Sequence, residues 1–137
     1  MELYPQLEYL ISSLDFKAIT KDKKKNLIEI AKFLAHRIDQ DNLIRINYIC
    51  THNSRRSQFS QIWSSVASSY FNLPVESYSG GVEITAFNPR AVESLKRMGF
   101  EVLSENQMMD NPKYCLKYSE QSAPVVCFSK LFDDISS

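Results

Sequence analysis

The segment Cys50-Thr51-His52-Asn53-Ser54-Arg55-Arg56-Ser57 constrains this chain more than any other. It follows an alternating run, Ile44-Arg45-Ile46-Asn47-Tyr48-Ile49, that reads as a strand. An amphipathic helical pattern begins directly after it. A strand that passes through a short loop into a helix is the unit from which parallel α/β sheets are built. The junction is also a device for holding an oxyanion. The first N–H groups of a helix lack intrahelical partners, and the helix dipole favours negative charge there. A loop wrapped over that end adds further inward N–H groups. The same field stabilises a thiolate, so Cys50 is expected to have a lowered pKa and to be nucleophilic. Arg56 offers a planar fork suited to two oxygens of a tetrahedral anion. The Ser57 hydroxyl can donate to the Cys50 sulfur, and Asn53 is a residue that tolerates a left-handed backbone.

The rest of the chain reads as elements around that junction. Residues 2–15 predict an amphipathic helix with Leu3, Leu7, Leu10, Ile11 and Leu14 on one face. A second helix is expected over 21–39, with Leu27, Ile30, Ala31, Leu34 and Ile38 in register. Its lysine-rich start opposes the helix dipole and reads as a solvated end. The two helices must bury their apolar faces, either on the core or on a second subunit. After the loop, a helix over about 57–71 should bury Phe59, Ile62, Trp63, Val66, Ala67 and Tyr70. Val75–Ser79 reads as a strand closed by a Gly80-Gly81 turn. Asn88-Pro89 places a cap and a first-turn proline ahead of a helix that Gly99 stops, with Phe100 set for the apolar contact of the C-cap. Tyr114–Tyr118 and Val125–Ser129 read as two strands, forming a hairpin or contributing the next parallel strand.

At 137 residues and 44% hydrophobic content, one domain with a real core is expected. The net charge of zero gives no electrostatic case for nucleic acid or a membrane surface. No run reaches membrane-spanning length, and the N-terminus lacks the layout of a signal peptide. Three cysteines, an odd number, argue for a reducing cytoplasm rather than a disulfide framework. No metal-like spacing links Cys50, Cys115 and Cys127 with His36 and His52, so no metal is expected.

Cys50 to Ser57 resembles the signature loop of the low molecular weight protein tyrosine phosphatases and of the thioredoxin-coupled arsenate reductases that share their fold. Thr51, Asn53, Ser54, Arg56 and Ser57 stand at positions matching the reductase loop. His52 stands where the family usually has glycine. Arg55 stands where both groups commonly have a second cysteine, so a protective disulfide within the loop is not available. Val75-Glu76-Ser77 to Gly80 and Asn88-Pro89-Arg90-Ala91-Val92 to Gly99 also resemble the family's next strand and helix. The resemblance spans about 44–102 in consecutive elements.

The resemblance implies a flavodoxin-like α/β fold: a parallel sheet with flanking helices, over 43–137, preceded by an N-terminal helical extension over 1–42. The ligand then sits at the carboxyl ends of the strands. Cys50, Arg56 and Ser57 would be catalytic, and Thr51, His52, Asn53, Ser54, Arg55 and Arg56 would bind the oxyanion. His52 either touches the anion or shapes the loop, and Arg55 either adds charge at the mouth or faces solvent. The main expectation is a phosphatase acting on phosphate monoesters through a thiophosphate on Cys50. The alternative is an arsenate reductase that uses thioredoxin or another thiol reductant, with Cys127 as a redox partner or else a small buried hydrophobe; Cys115 reads the same way. A third reading is an oxyanion-binding module without turnover. The ligand would accordingly be phosphate, arsenate or a phosphorylated substrate, and a homodimer would form through the N-terminal helices. The family's acid aspartate and its further cysteines normally lie beyond the point where this sequence stops, which leaves completeness at the C-terminal end open. Asp133 and Asp134 are the nearest carboxylates, and neither is followed by proline.

Overall fold

The computed structural model describes residues 2–40, 42–104 and 108–134. Strand β1 (Ile44–Cys50) pairs in parallel with β2 (Val75–Gly81), in a register that places Ile44 beside Val75 and Cys50 beside Gly81. The crossover between them is helix α3 (Arg56–Tyr70), which packs over both strands. Burial alternates along β1: Ile44, Ile46, Tyr48 and Cys50 turn inward while Arg45, Asn47 and Ile49 are exposed. The odd-even pleat therefore decides that the Cys50 side chain points toward the helix side of the sheet.

The chain is α/β with a parallel pair and flanking helices, consistent with a flavodoxin-like arrangement. A second sheet, antiparallel, has the order β3 (Glu101–Ser104), β4 (Tyr114–Lys117) and β5 (Val125–Cys127). Of the two arrangements open for the last strands, the hairpin is the one formed. Its turn is tied by Ser119, whose hydroxyl accepts from the Ser122 N–H at 3.0 Å. The chain then runs back alongside the first sheet, where Leu131 makes a parallel bridge to Gly81.

Gly80 and Gly81 correct the sequence reading. They end β2 instead of forming a turn, and they permit two close approaches. A Cβ on Gly80 would lie 2.4 Å from Phe132 Cα, and one on Gly81 would lie 2.8 Å from both Asn53 N and Thr51 O.

Helix α1 (Pro5–Ser12) sends Leu7 into the core, and Leu3 just ahead of it is buried in the same cluster. The cluster joins Ile62 and Val66 of α3 to Val92 and Leu95 of α4 (Pro89–Met98), with Phe87, Phe100, Leu116 and Cys127. Helix α4 is bounded as its sequence requires. The Asn88 side chain accepts from Arg90 N, and Gly99 is left-handed at φ 116°, where Phe100 N donates to Leu95 O.

Helix α2 (Lys21–Asp39) forms over the expected residues, yet none of them is buried. Leu27 is 52% and Phe33 61% exposed, so among the described residues much of its apolar face is uncovered, with only Leu34 and Ile38 half-buried. Tyr70, expected on the buried face of α3, is exposed at the helix end. The buried flank of α3 is instead partly polar. Gln61 Oε1 accepts from Ser79 Oγ at 2.6 Å, and Gln61 Nε2 donates to Ser77 O at 3.1 Å. No helix among the described residues is long and apolar enough to cross a membrane.

Candidate active site

The loop from Cys50 to Arg56 gets its shape from bonds that pull its carbonyl oxygens outward. Thr51 O accepts from Val82 N at 2.8 Å and from Glu83 N at 3.0 Å. His52 O accepts from the hydroxyls of Ser129 at 2.8 Å and Thr85 at 3.0 Å. Asn53 O accepts from Gln58 Nε2 at 3.0 Å, and Ser54 O from Asn88 N at 3.0 Å. With four successive carbonyls engaged outside, the loop's N–H groups are left to face inward. Asn53 makes the sharpest bend with a left-handed φ of 48°. An asparagine accepts that conformation more readily than most residues.

Cys50 Sγ lies at the bottom of this nest, 3.0 Å from Ser57 Oγ. Partial burial acts to raise its pKa. The Ser57 hydroxyl and the backbone N–H groups of Ser57, Asn53 and Ser54 outweigh that, so the thiol is held below its ordinary value. Arg55 takes the N-cap position of α3 and Arg56 is its first residue. The site is thus a helix N-terminus supplied with a thiol.

A cavity of about 400 Å³ opens above the sulfur, lined by Cys50, His52, Ser54, Arg55, Arg56, Thr85 and Asn88. Among the described residues neither Arg55 nor Arg56 has an ion-pair partner, while His52 Nε2 stands 3.4 Å from Glu83 Oε2. The cavity wall carries two guanidiniums and no carboxylate, which suits an anion.

The structure divides the expected site residues into two groups. Cys50, His52, Ser54, Arg55 and Arg56 meet at the cavity. Ser57 and Asn53 are buried beneath it as supports, and Thr51 contributes its carbonyl while its side chain is exposed. Cys127 lies in the hydrophobic core, its thiol donating to Val125 O at 3.6 Å, and burial pushes its pKa up to about 12. Cys115 is half-buried on the neighbouring strand β4. Neither Asp133 nor Asp134 lines the cavity. Among the described residues no group of three or more His, Cys, Asp or Glu side chains is placed to hold a metal ion.

Sequence reasoning missed the outer supports. Thr85, Asn88 and Ser129 come from segments 33 to 77 residues away from their loop partners, and Gln58 and Lys130 complete the buried polar layer. Only the i, i+4 and i, i+5 bonds that Asn53 makes to Ser57 and Gln58 were within reach of local spacing.

The chain matches no protein family model, and no solved structure matches it. Curated relatives do. An arsenate reductase of Staphylococcus aureus (strain Newman) is 34% identical over 68 residues, 48% of this chain and 49% of that protein. An arsenate reductase of Bacillus subtilis (strain 168) is 37% identical over 65 residues, 47% of this chain and 43% of that protein. Arsenate reductase 2 of Staphylococcus haemolyticus is 37% identical over 57 residues, 42% of this chain and 41% of that protein. The matched part thus spans about half the length of these relatives or somewhat less. Over that shared stretch the chain is similar to proteins named arsenate reductase.

Proposed function

We propose that this chain carries the oxyanion-binding, thiol-nucleophile half of an arsenate reductase, with Cys50 as the nucleophile. The observation that carries the reading is the Cys50 thiol at a helix N-terminus, bonded by Ser57 and faced by three backbone N–H groups, beneath two guanidiniums that have no ion-pair partner among the described residues. The similarity to proteins named arsenate reductase supports arsenate as the oxyanion.

The chemistry follows from the parts. The Cys50 thiolate attacks arsenic, an As–S bond forms, and one arsenate oxygen leaves as water after protonation. The loop N–H groups and Arg56 hold the remaining oxygens as charge redistributes. A second thiol then attacks the Cys50 sulfur. The As–S electron pair stays on arsenic, which leaves as arsenite, and the two sulfurs become a disulfide. Two thiols are oxidised for one arsenic reduced by two electrons. Cys127 is a poor second thiol, because its protonated sulfur is sealed in the core. The second thiol is therefore assigned to an external reductant, thioredoxin or a small thiol.

The burial of Cys127 supports a second reading, phosphate monoester hydrolysis through a thiophosphate on Cys50, since water would then complete the cycle. The two separate in one experiment. Arsenate with thioredoxin or glutathione, and an aryl phosphate, are offered to the full chain and to Cys50→Ser. Cys50-dependent arsenite release supports the reductase. Cys50-dependent phosphate release without arsenite supports the phosphatase. Binding of either anion without turnover leaves an oxyanion-binding module.

A further inference from the structure

Lys130 is 2% exposed, in a layer whose hydrogen-bonding side chains are serine, asparagine and glutamine, with the Phe128 ring beside it. A lysine is rarely taken so fully out of water, because its ammonium must then find partners for every donor. Here it finds three: Ser79 Oγ at 3.2 Å, Phe128 O at 3.3 Å and Asn53 Oδ1 at 3.5 Å, with the Phe128 ring 4.9 Å away. The Lys130 backbone N–H donates to the same Asn53 oxygen at 3.1 Å.

These contacts fix a direction. Neither the ammonium nor the backbone N–H can accept, so Asn53 must turn its oxygen toward Lys130 and its amide nitrogen toward Ser57. Asn53 Nδ2 then donates to Ser57 Oγ at 2.7 Å. Ser57 Oγ, filled on that side, has its proton free for the sulfur 3.0 Å away. Every proton in the chain points from Lys130 toward Cys50, and only a thiolate uses that arrangement fully.

We propose that Lys130 is a positioning residue for the nucleophile: a buried cation that stabilises the Cys50 thiolate through Asn53 and Ser57. The proposal rests on Cys50 being the nucleophile. The groups that share the field are Arg55, Arg56 and His52 on the loop, Glu83 facing His52, and Cys127 and Asp134 near the ammonium. Burial acts to discharge Lys130, lowering its pKa, while Cys127 and Asp134 act to keep it charged. The ammonium's bonds to three acceptors favour the charged form as well.

The test is the pH profile of iodoacetamide alkylation, read by mass on the Cys50 peptide of the folded full chain. In the wild-type chain the midpoint should lie below about 8.5, the value of a free cysteine. Lys130→Met should raise it by about one pH unit, an approximately tenfold smaller thiolate fraction below the midpoint. In a Ser57→Ala background the same change should do almost nothing, because the route has been cut. A low wild-type midpoint that Lys130→Met leaves in place overturns the proposal and spares the nucleophile. A shift that persists undiminished without Ser57 overturns the route, since the charge then acts directly through space. An ordinary wild-type midpoint instead removes the nucleophile reading itself. If neither Lys130→Met nor Lys130→Gln folds by near-ultraviolet circular dichroism, the wild-type chain decides. The Lys130 side-chain nitrogen resonance should then move with the Cys50 midpoint and stop doing so in Cys50→Ser, and a resonance that ignores Cys50 overturns the proposal.

Discussion

Gly81→Ala tests whether the loop's shape, and not merely its residues, holds the anion. Gly81 is held on both sides. Its N–H donates to Lys130 O at 2.8 Å and its carbonyl accepts from Phe132 N at 2.9 Å, while β1 lies across from it at Cys50. It cannot move away from a new methyl. An alanine Cβ would stand 2.8 Å from Asn53 N, 2.8 Å from Thr51 O and 3.0 Å from His52 C, all backbone atoms of the loop. Comfortable contact begins near 3.5 Å, so the loop must retreat by roughly 0.7 Å. Overpacking of this kind costs about 1–3 kcal/mol. A retreat of that size also takes the loop N–H groups out of good hydrogen-bond range of the sulfur and of a bound oxyanion. The loss of about one charge-assisted bond, some 1.5–3 kcal/mol, corresponds to an approximately tenfold or greater weakening of anion binding. The assay is protection of Cys50 from iodoacetamide by arsenate or phosphate, paired with urea unfolding. Gly80→Ala is the comparator, because its Cβ meets Phe132 and not the loop. It should lose stability while protecting Cys50 at nearly wild-type anion concentrations. Equal protection in Gly81→Ala and the wild-type chain would refute the steric argument.

Three further outcomes are expected. Because the Cys50 pKa is lowered on folding, ionisation of this thiol stabilises the native state at pH above the unfolded value near 8.5, and the contribution fades as pH falls through the folded value; unfolding free energies of the wild-type chain and Cys50→Ser, compared from pH 5 to 9, should diverge in favour of the wild type as pH rises, and parallel curves would count against the lowered pKa. Cys127 should resist alkylation at pH 8 until the chain is unfolded, and Cys127→Ala should cost on the order of 1 kcal/mol while leaving arsenate reduction with an external thiol intact; loss of reduction with the fold preserved would reinstate Cys127 as the resolving thiol. His52→Gly should change anion affinity less than about fivefold, because the His52–Glu83 pair is exposed and such pairs contribute about 0–1 kcal/mol; isothermal titration with phosphate measures it.

The elements that local chemistry dictates were legible without the structure. The pleat of β1, the cap at Asn88 and the stop at Gly99 depend on residues within a few positions of one another, and each formed where its sequence placed it. So did α2, although its apolar stripe gave no warning that most of it would remain exposed among the described residues. The Gly80-Gly81 pair was misread because a turn and a close backbone approach both demand glycine, and sequence alone does not distinguish them. Tyr70 was placed inside by periodicity, but the last turn of α3 projects past the core it packs on.

For the site, the sequence by itself determined the chemistry: a thiol, a cation and a hydroxyl at the end of a strand and the start of a helix. Helix geometry guarantees free N–H groups there whatever the rest of the chain does. Tertiary structure alone decided how that chemistry is held. Thr85, Asn88 and Ser129 take the loop's carbonyls, Gly81 leaves room for its backbone, Lys130 sits beneath Asn53, and Cys127 is withdrawn into the core. The physical reason is range. Backbone direction and helix ends are set by neighbours in sequence, whereas orientation of the loop and burial of a thiol or an ammonium depend on segments that meet only once the sheets have formed.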